Sequence, residues 1–398
     1  MNSSQASAPP DGGRLVAVRA GGTAALAAVD AAWADGDAVL PLDPQVPAAG
    51  ARATATALGA AHLVDGDTTH VLPDPAPVPT GTALVVRTSG STGAPRGVVL
   101  SHAALRAGVD ASLRRLGCAP GDRWLCVLPL HHVAGLLVVL RARALGAGPL
   151  LQATFDPAAV AAEAAGSHVA LVPTMLHRLL EDGVDVARFR RILLGGASAA
   201  PALRERARAA GARITTSYGM TETAGGCVYD GVPLDGVAAA VDPDGRVLLR
   251  GPVLATGYRT GHELVPLTAD GWLRTADLGH WDGGRLVVTG RADDVVVTGG
   301  VNVSARDVTA ALRSPPAVAD AAVVGVDDPE WGQRLVAYVE AADPGHPPDA
   351  GRLRAHVRAR VGRAGTPREI VVVPALPRGA LGKIDRAALP ATAPEPTP

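Results

Sequence analysis

The sequence predicts an α/β fold with a large N-terminal domain of parallel sheets, a small antiparallel β subdomain and a small α+β C-terminal domain. Three observations support this prediction. Apolar strand patterns alternate with helical ones between residues 15 and 216, which is typical of parallel sheets covered by helices. Short strands joined by tight turns follow between residues 235 and 290. Beyond residue 290, a second compact mixture of strands and helices begins.

The first stretch alternates strand and helix. Apolar runs at 15–18 and 38–40 predict strands, and Ala-rich stretches at 23–34 and 48–59 predict helices. Residues 1–13 are expected to be disordered.

The alternation continues after a proline-rich connection at 72–79. Ser101 is a good N-cap for a helix over 102–116. Further strands are predicted at 124–129, 169–173, 192–194 and 213–216, and further helices at 133–145, 175–180 and 201–210.

The last part of the chain divides at a charged segment, 291–294. We predict an N-terminal domain over 1–290, a hinge at 291–294 and a C-terminal domain over 295–398 that ends in a disordered proline-rich tail. Strands are expected near 323–324 and 335–339, with helices near 304–313 and 352–361.

Composition excludes several classes of protein. The chain has 398 residues and a net charge of −1, so it lacks the basic field that nucleic-acid binding requires. No apolar stretch is long enough to span a bilayer, and the N-terminus has no signal-peptide pattern. Three cysteines without metal-ligand spacing suit a reducing compartment. We expect a cytoplasmic protein without membrane insertion.

One loop, TSGSTGAPRG at residues 88–97, predicts a site for polyphosphate. Its glycines let backbone N–H groups face an anion, its hydroxyls add donors, and Arg96 matches phosphate oxygens with a two-point fork. The loop does not fit the Walker A pattern. A flexible Gly/Ser linker is the alternative interpretation.

The single lysine of the chain, Lys383, is a second candidate. The other 36 of the 37 basic residues are arginines, so a lone lysine indicates a position where a compact ammonium is needed. Flanking glycines in PRGALGKIDR predict a mobile loop that presents it. Since this loop lies almost three hundred residues beyond the phosphate loop, joint action requires two domains to close.

Other segments carry weaker signals. Glu222, in SYGMTE, is an oxygen ligand suited to Mg²⁺, and Tyr218 in the same segment can stack on a purine. Asp277, in TADLG, can accept hydrogen bonds from ribose hydroxyls. His131 and His132 are adjacent and have no nearby carboxylate in sequence, which argues against a metal site. No G-x-S-x-G motif is present, which argues against an acyl-enzyme.

These segments together resemble one family, the AMP-forming acyl-CoA synthetases and adenylate-forming enzymes. TSGSTGAPRG, YGMTE, TADLG, GRADDVVVTGG and PRGALGKIDR match in order and spacing. Within the family, PLHHVAG, ILLGGAS and GGCVYDGVPLDGV resemble the actinobacterial o-succinylbenzoate–CoA ligases of menaquinone biosynthesis. The resemblance implies ATP, Mg²⁺ and coenzyme A as ligands, a small carboxylic acid as substrate, and a C-terminal domain that rotates.

The resemblance also assigns residues. Those implied to hold ATP are Thr88, Ser89, Gly90, Ser91, Thr92, Gly93, Arg96, Gly196, Ala197, Ser217, Tyr218, Gly219, Thr221, Asp277 and Arg291. Glu222 is implied to hold Mg²⁺, and Lys383 to contact the attacking carboxylate and the α-phosphate. The remaining assignments are Asp293 as hinge, Gly299 and Gly300 in the CoA tunnel, and His132 and Ser198 beside the acyl group. Arg141 and Ser198 are suggested for the second carboxylate of o-succinylbenzoate from their position alone, since no motif identifies the acyl group.

Two features depart from the family pattern. The phosphate loop usually carries lysines, whereas this one has Ala94 and Arg96, and the N-terminal region is short. The alternatives left open are a CoA ligase for another aryl or acyl acid, a stand-alone adenylation enzyme and a non-catalytic nucleotide sensor. A homodimer is also left open.

Overall fold

The computed structural model describes residues 12–88, 95–152, 154–298, 301–328, 331–378 and 384–389. The chain divides into two compact units. The first comprises Met1–Ala240, Leu248–Arg274 and Trp281–Leu286, and the second comprises Val241–Val247, Thr275–His280 and Val287–Pro398.

The strands follow one another along the whole chain. In order they are β1 (Leu15–Arg19), β2 (Ala38–Leu42), β3 (His62–Asp65), β4 (Thr68–Val71), β5 (Thr82–Thr88), β6 (Arg96–Ser101), β7 (Trp124–Cys126), β8 (Leu150–Leu151), β9 (His168–Leu171), β10 (Arg191–Leu194), β11 (Ile214–Met220), β12 (Gly225–Tyr229), β13 (Val232–Pro233), β14 (Ala238–Val241), β15 (Arg246–Arg250), β16 (Gly257–Thr260), β17 (Glu263–Pro266), β18 (Leu273–Asp282), β19 (Arg285–Arg291), β20 (Val295–Thr298), β21 (Val301–Ser304), β22 (Val318–Asp328), β23 (Gly332–Ala341) and β24 (Glu369–Val373).

The helices lie between these strands. They are α1 (Gly22–Ala34), α2 (Ala48–Ala57), α3 (His102–Leu116), α4 (Val133–Ala144), α5 (Pro157–Glu163), α6 (Pro173–Glu181), α7 (Pro201–Ala209), α8 (Ala305–Arg313) and α9 (Ala350–Val361). The predicted N-cap is confirmed, because the Ser101 hydroxyl accepts a hydrogen bond from the Ala104 amide at the start of α3.

The first unit contains two sheets. One has eight strands in the order β17-β16-β6-β5-β2-β1-β3-β4, and the other has seven in the order β13-β12-β11-β10-β9-β7-β8. Each is parallel in its interior and antiparallel at one or both ends. The parallel sheets predicted from the alternation are therefore found, with hairpins added at their ends. The α/β prediction is confirmed.

The segment predicted as one antiparallel subdomain is distributed between two sheets. β14, β15, β18 and β19 form a four-stranded sheet, whereas the hairpin of β16 and β17 extends the eight-stranded sheet through pairing of β16 with β6. Turn residues in the sequence predict the hairpins but not which sheet each hairpin joins.

The second unit contains the sheet β21-β20-β23-β22, with β24 parallel to β23. Its core packs α8 and α9 against this sheet through residues such as Val308, Leu312 and Leu353. Among the described residues, no helix is long and apolar enough to cross a membrane. All three cysteines are free; Cys126 and Cys227 are buried and Cys118 is partly buried.

Candidate active site

The carboxyl end of β10 opens into a turn at the edge of the seven-stranded sheet. Gly196 in this turn has φ of +76°, which favours glycine, and an added Cβ would lie 3.2 Å from Val172 Cγ1. Gly196, Ala197 and Ser198 are exposed. The turn therefore offers an open, low-profile surface at the sheet edge where ligands of α/β proteins bind.

The neighbouring strand, β11, runs further than the sequence predicted. It continues through Met220 because residues 217–220 pair with β12, with a register shift between Tyr218 and Gly219. A Cβ on Gly219 would lie 2.1 Å from the Gly225 carbonyl oxygen, so only glycine fits there. A Cβ on Gly195 would lie 3.1 Å from Ser217 Cβ. The two segments predicted to hold adenine are thus adjacent.

Glu222 follows directly, in the 3₁₀ turn Thr221–Thr223. Its backbone carbonyl accepts a hydrogen bond from the Ala255 amide at 2.8 Å, and its Oε1 accepts one from the Tyr258 hydroxyl at 3.0 Å. Among the described residues, no donor contacts Oε2. One carboxylate oxygen is therefore fixed by the protein while the other remains available, which fits a Mg²⁺ ligand.

Tyr258 contacts a second candidate residue, Arg96. The Arg96 Cζ lies 3.6 Å from the centroid of the Tyr258 ring. Burial, followed by the Glu222 carboxylate, raises the pKa of Tyr258 to about 12, while Arg96 acts in the opposite direction. The phenol is therefore a hydrogen-bond donor at any physiological pH. Tyr258 was not predicted from the sequence, because a single tyrosine in a strand carries no distinctive pattern.

The phosphate loop begins and ends in the β5–β6 hairpin. Thr88 and Arg96 are cross-strand partners at its open end. Ser89, Gly90, Ser91, Thr92 and Gly93 lie outside the described residues, as does Ala94. Their role at phosphate stays a prediction.

His131 and His132 precede α4, after the end of β7. Their rings lie 4.3 Å apart and are tilted by 54°. Burial lowers the pKa of His131, although Asp43, with Oδ2 at 3.9 Å from Nε2, acts to raise it. His132 occupies the N-cap position of α4. Both residues therefore follow the carboxyl end of β7, which belongs to the same seven-stranded sheet as β10 and β11.

Arg141 lies deeper, on α4. It is only 3% exposed, and it donates hydrogen bonds to Ser112 Oγ at 2.9 Å and to the Tyr229 hydroxyl at 3.4 Å. The structure therefore places it in a buried network and does not bring it to the exposed turn that carries Ser198.

A separate cluster lies near the amino end of β9. His168 Nε2 is 3.2 Å from Asp122 Oδ2 and 3.8 Å from Cys118 Sγ. Asp122 Oδ2 also accepts a hydrogen bond from the Ala119 amide and lies 3.4 Å from Arg190 Nε. These contacts hold the carboxylate in place, and we assign them a structural role.

The second unit carries the residues predicted for ribose. Arg291 Nη1 lies 3.5 Å from Asp277 Oδ1, and the Asp277 amide donates to Thr275 Oγ1 at 3.0 Å. Asp277 is buried at 8% exposure. Asp277 therefore lies within strand β18 and forms an ion pair with Arg291, while its role at ribose stays a prediction.

The hinge and the lysine loop are described only in part. Asp293 lies in the 3₁₀ turn Ala292–Asp294, and Asp294 pairs with Arg386. Gly299, Gly300 and Lys383 lie outside the described residues, as does the side chain of Asp293. Their roles stay predictions.

Comparison with known families gives two matches. Residues 17–259 match the model of the AMP-binding enzyme, and residues 307–383 match that of the AMP-binding enzyme C-terminal domain. The second match ends at Lys383.

Curated relatives include CoA ligases for two different acids. A probable 2-succinylbenzoate–CoA ligase of Mycobacterium tuberculosis is 43% identical over 321 residues, covering 77% of this chain and 83% of the relative. A sulfoacetate–CoA ligase of Cupriavidus necator is 34% identical over 389 residues, covering 89% and 76%.

Solved structures include o-succinylbenzoate CoA synthetase of Bacillus subtilis. Its complex with the acyl-adenylate intermediate has a TM-score of 0.83 at 27% identity, covering 95% of this chain and 88% of that one. Its complex with ATP and magnesium ion has a TM-score of 0.82 at 26% identity, covering 95% and 89%.

Proposed function

Because this chain belongs to the family of AMP-binding enzymes, we propose that it is an AMP-forming o-succinylbenzoate–CoA ligase. It converts o-succinylbenzoate, ATP and CoA into o-succinylbenzoyl-CoA, AMP and diphosphate. The observation that carries the proposal is that Glu222 and Arg96 both contact one tyrosine, Tyr258. Glu222 directly follows one of the two segments predicted to hold adenine.

The choice of acid is supported by the relatives. A relative at 43% identity and a structural neighbour at 27% identity both carry the name of an o-succinylbenzoate ligase. The sulfoacetate ligase, at 34% identity, makes sulfoacetate the competing substrate to be tested. A CoA ligase for another aryl or acyl acid remains the alternative within the same chemistry.

The first step activates the carboxylate. A carboxylate is a poor acyl donor because its leaving group is oxide. Attack of its oxygen on the α-phosphorus of ATP forms an acyl-adenylate and releases diphosphate. Since two anions must meet, the protein contributes mainly charge neutralisation and positioning.

The residues divide this work. Arg96 and the phosphate-loop residues would hold the phosphates, and Glu222 would hold Mg²⁺. When bound, Mg²⁺ neutralises charge on the phosphate oxygens. Asp277 accepts the ribose hydroxyls, with Arg291 beside it, and Lys383 brings a further cation to the reacting carboxylate.

The second step transfers the acyl group to the CoA thiol, and AMP leaves. We propose that the C-terminal domain turns at Asp293 between the steps, removing Lys383 and placing Gly299 and Gly300 along the CoA tunnel.

Because the substrates are ATP and CoA, we place the enzyme in the cytoplasm. The chain could also form a homodimer, and the molar mass measured in solution distinguishes a monomer from a dimer.

A diphosphate-release screen tests the assignment. The purified chain is incubated with ATP, Mg²⁺ and o-succinylbenzoate, sulfoacetate, benzoate or a fatty acid, each with and without CoA. We expect turnover with o-succinylbenzoate, and thioester only when CoA is present. Turnover of another acid alone would overturn the substrate and keep the class. Diphosphate release without thioester formation would favour a stand-alone adenylation enzyme.

A further inference from the structure

Tyr258 contacts two charged residues with two different parts of its side chain. The hydroxyl donates to Glu222 Oε1 at 3.0 Å, and the face of the ring lies 3.6 Å from Arg96 Cζ. Glu222 follows β11 of the seven-stranded sheet, whereas Arg96 and Tyr258 lie on β6 and β16 of the eight-stranded sheet. A single side chain therefore links a carboxylate and a cation from two sheets.

The ring contact holds a guanidinium that has few other partners. Arg96 Nε is buried and has no hydrogen-bond partner among the described residues. A cation over an aromatic face is attracted by the ring quadrupole, which offsets part of the cost of removing it from water. The ring therefore fixes where the guanidinium points.

The backbone around Tyr258 is paired on both sides of its strand. Tyr258 is paired with Val98 on one side and Val265 on the other. The next residue, Arg259, is 2% exposed and donates to the carbonyl oxygens of Leu58, Ala76 and Pro77 at 2.7–2.8 Å. The phenol thus projects from a fixed strand and does not need to be ordered by substrate.

We propose that Tyr258 is a positioning residue that orients the Mg²⁺-binding carboxylate through its hydroxyl and the phosphate-binding guanidinium through its ring. This inference rests on the proposed function, because it takes Glu222 and Arg96 as ligands of Mg²⁺ and phosphate. The two parts of the side chain then have separable effects: the hydroxyl governs the response to Mg²⁺, and the ring governs affinity for the phosphates themselves.

Two variants separate these effects. Tyr258→Phe keeps the ring and removes the hydrogen bond, and Tyr258→Leu removes both. The measurement is equilibrium binding of the α,β-methylene analogue of ATP by calorimetry, with Mg²⁺ and with EDTA. Because this readout needs no turnover, it is independent of the carboxylic acid used.

The expected results differ between the variants. Tyr258→Phe should bind the analogue with wild-type affinity in EDTA. The factor by which Mg²⁺ raises its affinity should be about tenfold smaller than in the wild type, as expected for loss of a hydrogen bond to a charged group. Tyr258→Leu should also bind the analogue about tenfold more weakly in EDTA, because the guanidinium of Arg96 loses the aromatic ring that it contacts. Normal enhancement by Mg²⁺ in Tyr258→Phe would overturn the inference.

Controls keep the outcome interpretable. Tyr338→Phe makes the same chemical change in the core of the second unit, where Tyr338 is fully buried. It should leave both affinities unchanged. If Tyr258→Leu does not fold, Tyr258→Phe decides alone. If the wild-type chain binds no nucleotide, the proposed function fails; if it binds with enhancement by Mg²⁺ that Tyr258→Phe retains, only the inference fails.

Discussion

At the scale of single residues, Glu222 has a carboxylate with one oxygen fixed and one available. Its replacement by glutamine keeps an acceptor for the Tyr258 hydroxyl while removing the negative charge. We expect Glu222→Gln to fold normally and to lose about 100-fold in the rate of adenylation, as for other losses of a preorganised charge. Diphosphate release, measured over a range of Mg²⁺ concentrations, checks this.

The matched control is Glu181→Gln on the surface, where Glu181 pairs with Arg206. It should leave the rate unchanged. Equal rates in Glu222→Gln and Glu181→Gln would remove Glu222 from the metal site.

His168 gives a prediction on stability and pH. Burial lowers its pKa, although Asp122 acts to raise it. The unfolded chain takes up this proton near pH 6.5, and the folded protein only at lower pH. The unfolded state therefore binds more protons in that window, and the free energy of unfolding should fall as the pH drops below about 6.5.

Urea denaturation between pH 7.5 and 5.5 measures this effect. His168→Gln should flatten the pH dependence relative to the exposed-site variant His280→Gln. Some dependence should persist, because burial also lowers the pKa of His102 and His131. An identical slope in His168→Gln and the wild type would contradict the prediction.

At the scale of elements, the first turn of α4 packs directly against the backbone of Leu128 and Pro129. A Cβ on Gly135 would lie 2.3 Å from the Pro129 carbonyl oxygen and 2.8 Å from that of Leu128. Because those atoms belong to the segment that carries His131 and His132, we expect Gly135→Ala to cost about 2 kcal/mol of stability by overpacking. It should also weaken binding of the acid.

Thermal unfolding and substrate titration measure both effects. Gly148→Ala is the control, because an added Cβ there meets no atom within 4 Å. If the two alanine variants were equally stable, α4 would not depend on this close approach.

The elements also show what the sequence predicts well. The strand–helix alternation predicts most of the first unit within a few residues, and Ser101 marks the start of α3. The sequence does not predict that β11 extends through Tyr218, because that depends on β12 pairing beside it. The pairing of β16 with β6 was missed for the same reason: it joins residues about 160 positions apart, and a local pattern does not encode the partner.

At the scale of the whole molecule, the proposed reaction needs Lys383 in one step only. Lys383→Ala should reduce diphosphate release about 100-fold, because an ammonium at the reacting carboxylate is lost. Conversion of a synthetic acyl-adenylate to the thioester should survive. Lys383→Arg is the matched variant, since it keeps the charge but replaces a compact ammonium with a planar fork. Equal loss of both half-reactions would contradict this role.

The candidate site was predictable where residue type and local spacing carry the chemistry. Glycines beside hydroxyls, a carboxylate after a strand and a lone lysine are visible in sequence, and the structure brings Gly195 next to Ser217 and Asp277 next to Arg291. Tyr258 was not predictable, because its importance comes from contacts with residues 36 and 162 positions away. The burial of Arg141 likewise depends on Ser112 and Tyr229, which come from other elements.

The burial of the cysteines has a consequence for selectivity. An acyl-adenylate is an electrophile, and the thiolate is the form of a thiol that attacks it. Burial raises the pKa of Cys118 and Cys126 to about 11 and that of Cys227 to about 12. At neutral pH the three cysteine thiols are therefore protonated, and Cys126 and Cys227 are also buried. Because a protonated thiol is a weak nucleophile, an enzyme that makes thioesters is thereby protected from acylating its own cysteines.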